Sequence, residues 1–144
     1  MKVKDLIESR KEIYSIPVEA TVHDAARYLR EKQVRAVGVC DAAGKLVGCV
    51  SQSDVSDKVA AENKCPAWMR VTEIMSTDLV IASLETSLDD CMRMMDEHGI
   101  FHLLVVDDRQ RFRGMISVTD LLRLLASDHK ARADMLESYI YPNR

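Results

Sequence analysis

The chain has 144 residues, of which 47% are apolar and 30% charged, and its formal net charge is −3. This composition predicts a folded globular protein with a proper core and excludes an intrinsically disordered chain. The slightly acidic charge argues against the basic face of a nucleic-acid-binding protein. No window approaches the roughly 18 consecutive apolar residues of a membrane span, and the N-terminus lacks a signal-peptide core. We therefore expect a cytoplasmic protein that binds neither nucleic acid nor membrane.

The first half of the chain predicts the order strand, helix, strand, strand, helix. Thr21 is expected to be a helix N-cap, with Asp24 three residues later in the capping-box position. Apolar residues then recur at helical spacing, and the run AVGVC that follows is typical of a strand covered on both faces. The predicted elements are a strand at 14–18, a helix at 21–32, strands at 36–40 and 46–51, and a second helix directly after them.

The second half predicts the same order after a connector that contains Pro66. Ser87 and Asp90 repeat the predicted cap. A helical tail follows at 127–140, with an apolar stripe that must be covered by the module itself or by a second copy. The predicted elements are a strand at 79–84, a helix at 87–98, strands at 103–106 and 112–117, and a second helix. The stripe consists of Met135, Leu136, Tyr139 and Ile140.

The similarity of the two halves indicates an internal duplication. A shift of 66 positions aligns residues 16–55 with residues 82–121 without a gap. A lead-in also matches, VKDLI at 3–7 against VTEIM at 71–75, with a further shift of two positions. The predicted organisation is repeat 1 at 1–61, a connector at 62–70, repeat 2 at 71–126 and a tail at 127–144. Identical pairs include Glu19/Glu85, Asp24/Asp90, Val39/Val105, Gly48/Gly114, Ser51/Ser117 and Asp54/Asp120.

The most informative motif is G-h-h-S-x-[ST]-D, where h is apolar, and it occurs once in each repeat. It begins at Gly48 and Gly114 and ends at Asp54 and Asp120, where a predicted strand runs into a helix. Free backbone N–H groups and the positive end of the helix dipole favour a polar ligand there. An ionised carboxylate only accepts hydrogen bonds, so it can take both hydroxyls of a ribose diol.

The same residues have a purely structural interpretation. Ser51 with Asp54, and Ser117 with Asp120, are also spaced as capping boxes that need no ligand. Their presence in both repeats does not separate the two interpretations, because a duplicated fold duplicates its caps.

The repeats resemble the cystathionine β-synthase (CBS) domain, and their pairing resembles the tandem unit called a Bateman module. The second copy carries the resemblance best, with GIFHLLVVD from Gly99 to Asp107 and GMISVTDLL from Gly114 to Leu122. The ending LESYI at 136–140 resembles small stand-alone bacterial members. The likeness covers nearly the whole chain and leaves no room for an enzyme domain. It implies an α/β (α+β) fold in which two pseudo-symmetric βαββα repeats pack together with ligand clefts between them.

The resemblance also implies the ligand class and the binding residues. CBS pairs bind adenosine compounds such as AMP, ADP, ATP, S-adenosylmethionine or NAD, and no other cofactor is required. The motif aspartate would hold the ribose, the neighbouring hydroxyls would assist, and the first strand of each repeat would line the adenine pocket. The implied ligand-binding residues are Ile16, Pro17, Arg35, Ser51, Ser53 and Asp54 in the first repeat, and Ile81, Ala82, His102, Ser117, Thr119 and Asp120 in the second.

Arg35 and His102 occupy the positions at which family members contact phosphate. Arginine is a permanent cation with a forked donor set, whereas histidine contributes charge only if its pKa is high enough. Alternatively, Arg35 is a solvated cation at a helix end and His102 a partly buried, satisfied histidine. Gly38 and Leu104 stand where the family often has proline, and each repeat keeps one basic group instead of two. These departures favour a nucleoside or monophosphate over a triphosphate.

Neither catalytic nor metal-binding residues are expected. His23, His98, His102 and His129 suggest no nucleophile–base pair, and the four cysteines are widely spaced with no zinc-ligand pattern. We therefore expect a non-catalytic module that senses an adenosine ligand, forms a homodimer and signals to a client protein. The alternative is a dimeric protein-interaction module whose clefts are vestigial and empty. A further alternative, an enzyme, is the weakest.

Overall fold

The computed structural model describes residues 1–125 and 129–140, and its elements follow the predicted order in both halves. The strands are β1 (Ser15–Pro17), β2 (Ala36–Cys40), β3 (Leu46–Ser51), β4 (Ile81–Ser83), β5 (His102–Val106) and β6 (Phe112–Ser117). The helices are α1 (Val3–Glu8), α2 (Val22–Lys32), α3 (Gln52–Val55, continued by a π-helical turn at Ser56–Ala60), α4 (Leu88–His98), α5 (Val118–Leu125) and α6 (His129–Ile140). The predicted start of the tail at residue 127 lies outside the described residues.

Each half contains a three-stranded sheet with the same pairing. The middle strand is parallel to the first strand and antiparallel to the third. Ile16 pairs with Val39 in the first sheet, and Ala82 pairs with Val105 in the second, so the registers differ by the sequence repeat. A bulge follows Val39 and another follows Val105. The duplication therefore extends to the irregularities of the sheets.

The predicted cap of α2 is present in full, and that of α4 only in part. The Thr21 hydroxyl accepts the Asp24 N–H at 3.0 Å, and the Asp24 carboxylate accepts the Thr21 N–H at 3.0 Å. Ser87 caps α4 through the Asp90 N–H at 3.1 Å, but the Asp90 carboxylate pairs with Arg93 instead of returning to the cap.

Each lead-in packs into the opposite half. Val3 of α1 is fully buried in the core of the second half, and Val71 is fully buried in the core of the first. The Val3 N–H donates to the Thr86 carbonyl at 2.9 Å, and the Val71 N–H donates to the Ala20 carbonyl at 3.0 Å. These paired hydrogen bonds show that the exchange is reciprocal, so neither half completes its core without the other.

The glycine that opens each motif makes room for the exchanged lead-in. A Cβ at Gly48 would lie 2.9 Å from Met75 Cγ, and a Cβ at Gly114 would lie 3.1 Å from Ile7 Cδ1. Gly114 also has φ +135, a backbone conformation that residues with a Cβ rarely adopt. The motif glycines therefore have a packing role, and at Gly114 a conformational one.

The two sheets meet at a local pseudo-two-fold axis. The Leu46 N–H donates to the Gln110 carbonyl at 3.2 Å, and the Phe112 N–H donates to the Gly44 carbonyl at 3.0 Å. The Phe112 ring lies over Gly38, where an added Cβ would come within 2.8 Å of ring atom Cδ2. Gly38 therefore provides the space that the ring from the other half occupies.

The tail helix α6 packs against α5. Met135 and Leu136 of the predicted stripe are half-buried, whereas Tyr139 and Ile140 are exposed. Among residues 1–125 and 129–140, no helix is long and apolar enough to cross a membrane.

Candidate functional site

The second copy of the motif turns from β6 into α5 at the edge of a cleft of about 570 Å³. The Asp120 carboxylate accepts the Ser117 N–H at 2.8 Å, and the Ser117 hydroxyl accepts the Asp120 N–H at 3.1 Å. The capping geometry is therefore present, and the Asp120 side chain also lines the cleft. Capping and ligand binding are compatible here, because one carboxylate has room for about four hydrogen bonds.

The walls of the cleft come from both repeats and from the segment between α1 and β1. The side chains that line the cleft combine an apolar surface suited to a flat base with polar groups suited to a sugar and an anion. The apolar lining includes Tyr14, Val34, Ala36 and Met115. The polar lining includes Arg10, Lys11, Arg35, His102, Ser117, Thr119, Asp120 and Arg123.

The cleft is basic, and two of its cations have no basic counterpart in the other half. The repeat shift of 66 positions pairs Arg35 with Phe101. The same shift pairs Arg123 with Asp57. Glu12 also lines the cleft, but its carboxylate lies 2.7 Å from Lys32 Nζ and is thereby engaged. The basic groups of the cleft therefore face few uncommitted carboxylates.

Asp120 is held in its ionised form. Burial acts to raise its pKa, but the Ser117 N–H and the Arg10 guanidinium outweigh it, so the pKa is lowered from its ordinary value of 3.8. Arg10 Nη2 lies 2.7 Å from Asp120 Oδ2. The carboxylate is a permanent acceptor at neutral pH.

His102 is uncharged at neutral pH. Burial lowers its pKa from the ordinary value of 6.5; the nearby Asp120 carboxylate opposes this effect and the Arg35 guanidinium adds to it. The imidazole therefore contributes a hydrogen-bonding group to the cleft and no positive charge.

The first copy of the motif has the same cap, but its aspartate is buried and paired within its own half. The Asp54 carboxylate accepts the Ser51 N–H at 2.9 Å and the Ser51 hydroxyl at 3.1 Å, and it pairs with Lys58 Nζ at 3.0 Å. Asp54 is only 9% exposed. Lys58 also donates to the Ile74 carbonyl at 2.8 Å, which ties this carboxylate to the lead-in from the other half.

The edge of the third strand has different partners in the two halves. In the first half the N–H and C=O of Cys49 on β3 both bond to Ser76, at 3.0 and 2.9 Å. In the second half the corresponding residue of β6 is Met115, and its carbonyl accepts the side chain of Arg10. A backbone bridge thus closes the first half, whereas a single long side chain spans the equivalent place in the second.

The structure brings together five of the residues proposed from the sequence and separates the other seven. Arg35, His102, Ser117, Thr119 and Asp120 line one cleft. Ser51, Ser53 and Asp54 belong to the closed motif. Ile16 and Ala82 are buried in the two cores, Pro17 and Ile81 are exposed, and none of these four lines this cleft.

Sequence reasoning did not identify Arg10, Lys11 or Arg123 as cleft residues. Arg10 and Lys11 lie in a segment outside the aligned repeat, so the alignment pairs them with no residue of the second half. Arg123 had a usable signal, because it is one turn after Asp120 and its counterpart in the first repeat is an aspartate.

Three of the four cysteines fit a packing role, whereas Cys65 is exposed. Burial raises the pKa of the Cys49 thiol to about 11 and also raises the pKa of Cys40 and Cys91. Such thiols are poor nucleophiles and poor metal ligands in their protonated form. Within the described part of the chain, no group of three or more His, Cys, Asp or Glu residues is placed to hold a metal ion.

Two βαββα repeats with exchanged lead-ins and one basic cleft define a paired-repeat module. A family model for the CBS domain matches residues 3–61 and 71–127. The chain therefore belongs to the CBS domain family and contains two copies of the domain. A CBS pair is a regulatory module.

Solved structures of CBS pairs share the whole fold. A protein with CBS domains from Burkholderia ambifaria is 28% identical, has a TM-score of 0.79, and the match covers 90% of this chain and 96% of that one. The CBS domain pair of protein MJ0100, in complex with 5′-methylthioadenosine and S-adenosyl-L-methionine, is 27% identical with a TM-score of 0.77, covering 88% and 97%.

Several curated relatives are much longer than this chain. An inosine-5′-monophosphate dehydrogenase of Nitrosopumilus maritimus is 31% identical over 108 residues, which are 75% of this chain and 21% of that enzyme. The chain likewise spans 37% of an uncharacterized protein of Methanocaldococcus jannaschii that is 27% identical over 116 residues. The family thus includes enzymes that carry CBS domains as well as proteins without a known activity.

Proposed function

We propose that this chain is a non-catalytic regulatory module that binds an adenosine compound in the open cleft. The observation that carries the proposal is the meeting of Asp120, Ser117 and Thr119 from the second repeat with Arg35 from the first. A carboxylate with adjacent hydroxyls suits a ribose diol, and apolar walls suit the base. The adenosine ligands in the structure of protein MJ0100 support this ligand class.

Binding across the two repeats provides a route to regulation. Residues from both halves line the cleft, so a bound ligand favours the relative position of the repeats that contacts it best. The exchanged lead-ins couple the two cores, and a change at the cleft reaches both of them through α1 and through residues 71–75. We propose that a client protein responds to this change.

The proposal is tested by a thermal-shift panel with AMP, ADP, ATP, S-adenosylmethionine, NAD and adenosine. Binding to the folded state raises the melting temperature, and ligand at 100 times its Kd adds about 2.7 kcal/mol. A flat panel at millimolar ligand would contradict the proposal.

Thr119 and Ser53 provide a matched pair of variants for that panel. Both are exposed hydroxyl residues at equivalent positions, but only Thr119 lines the cleft. We expect Thr119→Ala to weaken binding by about two- to tenfold, the worth of one hydrogen bond, and Ser53→Ala to leave it unchanged. Equal effects from both variants would show that the cleft is not the binding site.

The second candidate function is a dimeric protein-interaction module. Exposed apolar side chains favour it, since Trp68 is 87% exposed and Tyr139 and Ile140 of α6 project from the described surface. We propose that the chain forms a homodimer in either case. Light scattering on the purified protein distinguishes a dimer from a monomer. The melting temperature of the wild-type protein in the ligand panel shows whether an adenosine compound binds.

A further inference from the structure

Arg10 occupies one of the two carboxylate oxygens that an adenosine ligand would use. Its Nη2 lies 2.7 Å from Asp120 Oδ2, and its Nη1 donates to the Met115 carbonyl. The same Oδ2 also accepts the Ser117 N–H at 2.8 Å. The Arg10 and Asp120 side chains are only 29% and 23% exposed, so the pair is partly shielded from water and is stronger than a surface ion pair.

A ribose diol competes directly with Arg10. A diol that donates one hydroxyl to each carboxylate oxygen needs Oδ2, and Oδ2 already accepts two hydrogen bonds, one from Ser117 and one from Arg10. Displacing Arg10 exchanges an ion pair for hydrogen bonds from uncharged hydroxyls and leaves a guanidinium without an anionic partner in a half-buried cleft. A ligand that offers only a ribose and a base must bear that whole penalty.

Among the described lining residues, the cleft provides no uncommitted anion other than Asp120 for the displaced guanidinium. Glu12, the other carboxylate in the lining, is engaged by Lys32 at 2.7 Å. The remaining charged lining residues, Lys11, Arg35 and Arg123, are cations. A phosphate on the ligand is therefore the group that restores an anionic partner to Arg10, with a bidentate geometry that guanidinium favours.

We propose, on the basis of the proposed function, that Arg10 selects phosphorylated adenosine compounds by moving from Asp120 to the ligand phosphate. Uncharged adenosine pays for the displacement without compensation. S-adenosylmethionine carries a carboxylate, but its sulfonium and ammonium groups make its net charge positive, so the basic cleft repels it as a whole. A nucleotide takes both partners of the existing ion pair, since its ribose binds Asp120 and its phosphate binds Arg10.

The test is calorimetric titration of wild type, Arg10→Gln and Arg123→Gln with AMP and with adenosine. Arg10→Gln removes the competitor, so adenosine should bind at least about threefold more tightly while the preference for AMP over adenosine falls at least about tenfold. Arg123→Gln is the matched control, because it removes a cleft cation that has no ion pair with Asp120 among the described residues. It should weaken AMP and leave adenosine unchanged.

Arg10→Lys keeps the positive charge but not the forked donor set. It provides a second test of the role of Arg10 if Arg10→Gln does not fold. Its preference for AMP over adenosine should lie between those of wild type and Arg10→Gln. The melting temperatures of the ligand-free variants show whether each one is folded. If Arg10→Gln weakens AMP and adenosine equally, or fails to tighten adenosine, the selection by Arg10 is refuted while the binding site stands. If wild type binds neither compound, this inference is refuted, and the six-compound panel decides whether the proposed function fails as well.

Discussion

The two motif copies have the same backbone and different surroundings. In each copy the aspartate accepts the serine N–H and the serine hydroxyl accepts the aspartate N–H, so both helix caps survive the duplication. Asp54 is then closed off by Lys58 and by a backbone bridge between Cys49 and Ser76. Asp120 pairs with the side chain of Arg10 and borders a cleft. A motif thus guarantees its structural role, whereas a binding role depends on the residues that surround it.

The largest expected effect is the difference in AMP binding between variants of Asp120 and of Asp54. Asp120→Ala should weaken AMP binding roughly 100-fold, equivalent to about 2.7 kcal/mol, because it removes the ribose acceptor. Asp54→Ala should leave the affinity within about threefold. It should instead reduce the free energy of unfolding by about 1–3 kcal/mol, because it breaks a buried cap and leaves Lys58 without its carboxylate. Calorimetry and urea unfolding measure the two effects, and loss of AMP binding in folded Asp54→Ala would contradict the comparison.

The motif glycines should both be sensitive, for different reasons. Gly48→Ala pushes a Cβ into the Met75 side chain, whereas Gly114→Ala also forces an unfavourable φ of +135. Each should cost about 1–3 kcal/mol of unfolding free energy. In double-mutant cycles, Met75→Ala should offset part of the Gly48→Ala effect, while Ile7→Ala and Gly114→Ala should be nearly additive. Equal coupling in both cycles would show that backbone strain at Gly114 is unimportant.

Arg35 and Phe101 test the charge difference between the two halves. They are equivalent in the repeat, and Arg35 lines the open cleft. Arg35→Ala should weaken AMP by about three- to tenfold, since one charge-assisted contact is lost, and should weaken adenosine less. Phe101→Ala should alter neither affinity. Titrations at low and high salt provide the check, because the Arg35 effect should shrink as salt screens the cleft.

The smallest effect is the pH dependence of stability from His102. Its pKa in the folded protein is lowered below 6.5, so the unfolded chain binds the proton more readily and stability falls as pH drops through that value. Melting temperature should therefore decline between about pH 7.5 and about pH 5.5, and His102→Gln should reduce the decline. Asp120 acts in a lower window, since its lowered pKa stabilises the fold above 3.8 and that contribution is lost at more acidic pH. An identical decline in His102→Gln would exclude the imidazole as its source.

Sequence reasoning predicted the fold well because periodicity and duplication are local signals. The caps at Thr21 and Ser87, the strands and the 66-residue repeat were all readable from residue spacing. The exchange of lead-ins was not, since no local pattern tells which half a segment packs against. The match between residues 3–7 and 71–75 was visible in the sequence, but its meaning needed Val3 and Val71 to be placed in their cores.

The site was predicted in part. The aspartates and hydroxyls followed from the motif, and Arg35 and His102 from the family resemblance, but sequence reasoning did not tell which motif aspartate borders the cleft. The difference depends on long-range partners, such as the Lys58 bond to Ile74 and the Arg10 bond to Asp120. Such partners lie 16 and 110 positions apart, beyond the reach of any motif.

The most direct test of the account is the stoichiometry of AMP binding by calorimetric titration. One open cleft and one closed motif predict one AMP per chain, retained in Asp54→Ala and lost in Asp120→Ala. Two AMP molecules per chain, or one that is lost in Asp54→Ala while Asp120→Ala still binds, would contradict it.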